Sequence, residues 1–120
     1  MLAANDLLRL INRLVVEQPL IIVEGKKDEA SLKTLGLSNI VTLTKPLYAV
    51  VEDAARQAQI VVILTDLDSK GKELYGVLRN GLQRHGIKID DGLRKFLLRN
   101  TPLRQIEGLA TFVENLHPSD

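Results

Sequence analysis

The sequence predicts an α/β fold of Rossmann-like type, with a mainly parallel sheet of four strands and helices on both faces. Short apolar runs alternate with longer stretches of helical periodicity along the chain, which is the pattern of strands joined by crossover helices. Two of these runs, LIIV at 20–23 and IVVIL at 60–64, are apolar at every position. Strands with helices above and below them have this composition.

Length and composition indicate one globular domain. The chain has 120 residues, of which 45% are hydrophobic and 26% charged, so we expect a single domain over 1–120 with an N-terminal helix at 5–17 and a core at about 18–110. It has no cysteine and two distant histidines, His85 and His117, which argues against a zinc site. Because no apolar run approaches the roughly 18 to 20 residues that span a bilayer, we expect a cytoplasmic protein without a membrane segment.

The first half of the chain contains three predicted helices and two strands. DLLRLINRLVVE at 6–17 is amphipathic, with Asn5 as its predicted N-cap. The strand at 20–23 precedes a helix at 26–35 that Gly36 ends, and NIVTL at 39–43 is the second strand. A helix at 47–57 begins after Pro46, a residue that the first turn of a helix tolerates.

The second half repeats the pattern. The strand at 60–64 precedes a helix at 70–85, which Gly86 ends, and IKI at 87–89 is a short fourth strand. Two further helices are predicted near 92–99 and 104–116. The four aromatic residues are expected in the core or half-buried, and so few of them argue against recognition of single strands by stacking; they are Tyr48, Tyr75, Phe96 and Phe112.

Acidic residues follow the first and third strands. Glu24 comes directly after LIIV, and Asp66 and Asp68 come after IVVIL. Two residues apart in extended backbone, the aspartates point to the same side. Ligands of open parallel sheets bind beyond the carboxyl ends of the strands. If the strands lie in the order 2-1-3-4, the three carboxylates converge on one crevice.

Three neighbouring carboxylates repel one another, and a divalent cation resolves that repulsion. The ligands on offer are hard oxygens with no thiol or imidazole nearby, so the predicted cofactor is Mg²⁺ or Mn²⁺. Gly25 and Gly71 stand at the two strand-to-helix turns. We expect them to provide positive φ or room for a phosphate, and the helix that follows each to attract an anion through its amides.

Basic residues surround the acids. Residues 69–104 contain nine basic and three acidic side chains, a local charge of +6 in a chain whose net charge is +1, which suits a partner that carries phosphates. Arg94, Lys95 and Arg99 are candidates for a nucleic-acid track on the helix at 92–99. The predicted phosphate-binding lysines flank the carboxylates: Lys26, Lys27, Lys70 and Lys72.

The motifs EGKKD at 24–28 and DLDSKG at 66–71 together resemble the signature of the Toprim domain. The wording VEGKKD is similar to small stand-alone Toprim proteins related to the 5S-rRNA maturation nuclease, and bacterial-type primases contain the same domain. The resemblance implies that Asp66 and Asp68 hold Mg²⁺ and that Glu24 is the general acid or base. It therefore implies a nuclease-like protein that transfers phosphoryl groups in RNA or DNA processing.

Two other functions remain open. The same acids would serve a non-catalytic module that binds Mg²⁺ and nucleic acid, or a partner subunit of an RNA-processing complex. A receiver-like phosphoacceptor also gathers acids at the ends of its first and third strands. That class normally needs paired acids after the first strand and a lysine after a fifth, whereas here Gly25 follows Glu24 and no convincing fifth strand is present.

Overall fold

The computed structural model describes residues 2–116 and contains a sheet of four parallel strands in the order β2-β1-β3-β4. The strands are β1 (Leu20–Val23), β2 (Ile40–Thr42), β3 (Ile60–Ile63) and β4 (Lys88–Ile89). In register, Ile21 of β1 pairs with Ile40 of β2 and Val62 of β3. The predicted fold class is confirmed, and β1 and β3 are adjacent, which is the condition for the acids after these strands to lie at one edge.

Six α-helices and one 3₁₀ turn accompany the strands. The helices are α1 (Leu2–Glu17), α2 (Lys26–Thr34), α3 (Leu47–Gln57), α4 (Ser69–Arg84), α5 (Gly92–Asn100) and α6 (Leu109–Glu114), and the 3₁₀ turn is Ile106–Gly108. Four helices agree with their predicted bounds to within one residue at each end. His85 is the C-cap residue of α4, whereas His117 lies outside the described residues.

Two hydrophobic cores lie on opposite faces of the sheet. Alternate residues of β1 point to different cores: Ile21 and Val23 contact α1, α2 and α5, whereas Leu20 and Ile22 contact α3 and α4. All four side chains are at most 3% exposed. Because neighbouring strand residues face opposite sides, a run that is apolar throughout fills both cores.

The predicted start of the first helix is wrong. Helix α1 begins at Leu2, so Asn5 lies inside it and is not its N-cap. Ala4 is 1% exposed and is one of the buried hydrophobic residues of the core. Alanine also has the highest intrinsic helix propensity, so burial and propensity both extend the helix towards the N-terminus.

The predicted helix at 104–116 is only partly present. Residues 101–105 are not helical, and α6 begins at Leu109 after the 3₁₀ turn. Two hydrogen bonds hold the segment beside β3: the Leu67 amide donates to the Arg104 carbonyl at 2.8 Å, and the Ile106 amide donates to Asp66 Oδ1 at 2.9 Å. These tertiary contacts replace the first turns of the expected helix.

Candidate active site at the carboxyl edge of the sheet

Glu24 follows β1 at the edge where the parallel strands end. Its side chain is half-buried, and Oε2 accepts a hydrogen bond from the Asp66 amide at 2.7 Å. This contact joins the end of β1 to the loop between β3 and α4. The glutamate therefore lies against the acidic loop, as the sequence predicts.

Asp66 and Asp68 lie in that loop and alternate with buried residues. Thr65 and Leu67 are 0% exposed, whereas both aspartates are half-buried, so the alternation expected of extended backbone is present. Asp66 Oδ1 accepts the hydrogen bond from the Ile106 amide, and Asp68 Oδ1 accepts one from the Gly71 amide at 2.8 Å. The second aspartate is thus also the N-cap of α4.

Gly71 allows the loop and α4 to approach each other closely. A Cβ atom built on it would lie 1.8 Å from the Asp66 carbonyl oxygen. Any other residue at this position would therefore force the backbone to shift. The Gly71 carbonyl in turn accepts a hydrogen bond from the Thr65 hydroxyl at 2.6 Å. The protein's own backbone therefore requires glycine here. The predicted positive φ is absent, and a contact of this turn with phosphate stays a prediction.

Gly25 begins α2 in extended backbone, and its predicted role in phosphate binding stays a prediction. Its φ of −151° and ψ of −176° describe extended backbone that any residue adopts, and nothing lies within 4 Å of a Cβ placed there. The expectation of positive φ at this turn is wrong. Gly25 is the N-cap residue of α2, and its amide donates to Asp28 Oδ2 at 3.0 Å.

Asp28 is a fourth acid at this edge, and motif reasoning assigned it no role. It is 6% exposed. Burial raises the pKa of its carboxyl group above 3.8, the hydrogen bond from the Gly25 amide opposes that rise, and the negative charges of Asp66 and Glu24 add to it. Its position three residues after the N-cap Gly25 is the sequence signal that could have marked it.

Arg94 is the buried cation of the site. It is 2% exposed, and its guanidinium donates hydrogen bonds to the carbonyl oxygens of Thr65 and Asp66, the latter at 3.0 Å. Its Cζ lies 4.5 Å from the centre of the Tyr75 ring. Burial lowers the pKa of Arg94, and the nearby Tyr75, Glu24, Asp66 and Asp68 oppose that change.

The predicted surface track on α5 is therefore wrong at Arg94. This side chain is buried together with Leu93 and Leu97. Its hydrogen bonds to backbone carbonyls stabilise the aspartate loop from the protein interior. The missed signal is an arginine within the apolar stripe of an amphipathic helix. Lys95 pairs with Asp91 at 3.1 Å, and Arg99 remains exposed.

The four predicted phosphate-binding lysines lie in the first turns of the two helices that leave this edge. All four are exposed, and none forms an ion pair with another described residue: Lys26 and Lys27 on α2, Lys70 and Lys72 on α4. Arg104 on the neighbouring segment is also exposed and unpaired within the described chain. Positive charge thus surrounds the half-buried carboxylates without neutralising them directly.

Sequence comparison relates the chain to curated archaeal proteins. It is 33% identical to the UPF0292 protein of Methanocaldococcus jannaschii over 116 residues, which cover 91% of each chain. The chain belongs to the UPF0292 family. It is also 45% identical over 78 residues to the UPF0292 protein of Pyrococcus abyssi, covering 64% of this chain and 59% of that one. No family model matches it.

The fold of this UPF0292 chain is also present in a solved structure. A protein from Aquifex aeolicus superposes with a TM-score of 0.75 at 25% sequence identity, and the match covers 86% of this chain and 94% of the other. None of these relatives' names states a reaction. Across residues 2–116, no helix is long and apolar enough to cross a membrane.

The donor atoms of the UPF0292 site suit a hard cation held by few protein ligands. Within residues 2–116, no group of three or more histidine, aspartate or glutamate side chains is arranged as a ready-made metal cage. Asp66 and Asp68 each use Oδ1 for a backbone amide, and their Oδ2 atoms accept no hydrogen bond from a described residue. This arrangement fits Mg²⁺, which takes one or two carboxylates and fills its shell with water and phosphate.

Proposed function

We propose that this UPF0292 protein is a cytoplasmic, Toprim-type protein that performs Mg²⁺-dependent phosphoryl transfer on nucleic acid, as a nuclease-like factor in RNA or DNA processing. One observation carries the proposal. The glutamate after β1 accepts a hydrogen bond from the backbone of the first aspartate after β3, at 2.7 Å. The two halves of the EGKKD and DLDSKG pattern therefore contact each other, which supports the proposal that they form one site.

In this proposal the aspartates hold the cation through their Oδ2 atoms. Their Oδ1 atoms stay with the amides of Ile106 and Gly71, which fixes both carboxylates before any ligand binds. When bound, Mg²⁺ supplies positive charge that offsets the charge developing on the transferred phosphoryl group. Arg94 supports the loop from the protein interior through its bonds to backbone carbonyls.

Glu24 is the proposed proton-transfer group. Its Oε2 atom is held by the Asp66 amide, and its Oε1 atom accepts no hydrogen bond from a described residue. A carboxylate fixed by one oxygen presents the other in a defined direction, as general acid–base catalysis requires. The side chain is also close enough to the aspartate loop to act on the same phosphate.

The exposed lysines on α2 and α4 are the proposed contacts to the phosphates that flank the reacting one. Lysine contacts of this kind give affinity and register without reading sequence. They also place the nucleic-acid backbone across the carboxyl edge of the sheet, over the carboxylates.

A non-catalytic module that binds Mg²⁺ and nucleic acid, or that docks in an RNA-processing complex, is the second candidate. The observation in its favour is that the carboxylates of the described chain do not form a ready-made metal cage. Weak metal binding by two aspartates would serve recognition as well as chemistry.

A cleavage assay with the Glu24→Gln variant separates the two candidates. The parent protein is incubated with structured RNA, single-stranded DNA and nicked DNA, with and without Mg²⁺. We expect Mg²⁺-dependent cleavage that falls by roughly 10² to 10⁴ in Glu24→Gln, because glutamine keeps the bond to the Asp66 amide but cannot transfer the proton.

Glu52→Gln on α3 is the matched control, since Glu52 is exposed and unpaired within the described chain. It should cleave like the parent. A parent that is inert on every substrate would favour the binding module. Cleavage that survives Glu24→Gln would remove the proton-transfer role.

A further inference from the structure

A groove of about 410 Å³ lies beside Asp68, between the loop after β3 and the C-terminal part of the chain. Its walls include Leu103, Arg104, Gln105 and Phe112. Asp68 is thus shared by the groove and the carboxylate site.

The wall formed by residues 101–105 is fixed to the acidic loop. The hydrogen bonds from the Leu67 amide to Arg104 and from the Ile106 amide to Asp66 measure 2.8 and 2.9 Å. A ligand in the groove is therefore held at a constant position relative to both aspartates. The same two hydrogen bonds explain why residues 101–105 are not helical.

The chemistry of the groove differs from that of the carboxylate site. Leu103 and Phe112 are half-buried apolar side chains of the core facing the groove, whereas Arg104, Gln105 and Glu107 are exposed at its rim. Apolar side chains offer a phosphate or a metal ion neither hydrogen bonds nor charge, so an ion alone would not explain the apolar wall. A flat ligand with apolar faces and hydrogen-bonding edges matches both parts.

We propose that this groove is a nucleobase subsite that takes the base of the nucleotide whose phosphate lies at Asp68, an inference that rests on the proposed function. The base contacts Leu103 and Phe112 with its face. The Gln105 amide and the Glu107 carboxylate are in place for its edge or for ribose hydroxyls, and Arg104 for a neighbouring phosphate. A single aromatic wall holds one base and is not a stacking platform for a run of bases.

The test compares ligands with and without a base. The four common ribonucleoside 5′-monophosphates and ribose 5-phosphate are titrated separately into the protein in Mg²⁺ buffer, followed by NMR and calorimetry. We expect at least one monophosphate to bind about tenfold more tightly than ribose 5-phosphate, given the typical contribution of base contacts. The largest shifts should fall on residues 101–112.

Two variants locate the effect. Gln105→Ala and Phe112→Leu should each reduce monophosphate affinity several-fold and leave ribose 5-phosphate affinity unchanged, whereas Gln83→Ala, an exposed glutamine on α4, should change neither. The Gln105 side chain is exposed, so its loss leaves the fold intact. Equal affinity for ligands with and without a base, absent monophosphate binding, or equal losses for both ligands would overturn the subsite.

A Mn²⁺ titration of the same samples distinguishes the two hypotheses. If Mn²⁺ binds at the aspartates but the base adds no affinity, the subsite is wrong while the proposed function stands. If Mn²⁺ does not bind but the monophosphates bind at residues 101–112, the groove is a nucleotide site and the proposed metal-dependent function is wrong.

Discussion

Gly71 determines how closely α4 approaches the aspartate loop. A methyl group at this position would meet the Asp66 carbonyl oxygen at 1.8 Å. We expect Gly71→Ala to lower the free energy of unfolding by about 3 kcal/mol, since overpacking of this severity moves backbone. Urea denaturation provides the measurement.

Gly76→Ala on the same helix is the control for that change. Nothing lies within 4 Å of a Cβ atom at Gly76, so alanine should raise the free energy of unfolding by about 1 kcal/mol through its helix propensity. If Gly71→Ala and Gly76→Ala changed the free energy of unfolding in the same direction, the close approach of α4 to the Asp66 carbonyl would not explain why residue 71 is glycine.

Asp28 makes the stability of the protein depend on pH. Because burial raises the pKa of this carboxyl group in the folded state, the folded protein holds a proton that the unfolded chain releases at lower pH. The group therefore stabilises the fold below its ordinary pKa of 3.8, and that contribution is lost as pH rises through the raised value. Asp28→Asn, which keeps an acceptor for Gly25, should be more stable than the parent at about pH 7 and equal to it below about pH 3.5.

Asp53 supplies a control of opposite sign. A hydrogen bond from Lys45 lowers the pKa of its carboxyl group, so its contribution is present at neutral pH and is lost as pH falls. Urea midpoints measured across the pH range should show Asp53→Asn less stable than the parent at neutral pH. If Asp28→Asn were still more stable than the parent in acid, the buried charge of Asp28 would not be the cause of the difference in stability.

Some residues of the candidate site could be predicted from the sequence and others could not, and the difference has a physical reason. Glu24, Asp66 and Asp68 were predictable because each comes shortly after an apolar strand, and strand ends in a parallel sheet share an edge. The apolar stripe of α5 could have marked Arg94 as buried, but its partners were not predictable, since they are backbone carbonyls of a loop 28 and 29 positions away. No local pattern encodes a hydrogen bond of that range.

Helix α4 begins at the site and carries basic residues along its exposed surface. Lys72 and Arg79 lie seven residues apart and therefore within about 20° of each other around the helix axis. Both are exposed and form no ion pair with a described residue. They extend the positive surface of the first turn away from the carboxylates.

If nucleic acid follows α4, each cation should contribute to the salt dependence of binding. We expect Lys72→Gln and Arg79→Gln each to reduce the slope of log affinity against log salt by roughly 0.7 to 0.9, by counterion release, and to weaken all sequences alike. Fluorescence anisotropy at several salt concentrations measures the slope. Lys88→Gln, which removes the same charge at the amino end of the sheet, should leave it unchanged; an equal effect there would indicate attraction to net charge alone.

The segment at 101–108 shows where element prediction fails. Its periodicity suggested one helix from 104 to 116, but Asp66 and Leu67 bind its backbone and hold residues 101–105 out of the helix. The strands and four of the helices were predictable because their burial pattern is set within each element. This segment is instead set by a partner about 40 residues away.

At the scale of the whole molecule, six cations of the described chain form ion pairs, and the lysines around the site are not among them. Ion pairs among the described residues involve cations on α1, the loop before α3, the C-terminal turns of α2 and α3, and α5. The lysines at the carboxyl edge have no such partners. In a chain with a net charge of only +1, these unpaired lysines give the carboxyl edge of the sheet a local attraction for phosphate.

Adjacency of β1 and β3 creates the site, and a Mn²⁺ titration tests most directly that it is a metal site. Asn at positions 66 and 68 keeps the acceptors for Ile106 and Gly71, and asparagine is as good an N-cap as aspartate, so the Asp66→Asn, Asp68→Asn double variant should remain folded. We expect the parent to bind Mn²⁺ weakly, because water fills most of the coordination shell, and the double variant to lose this binding. Undiminished Mn²⁺ binding in the folded double variant would place the metal elsewhere and contradict the proposed function.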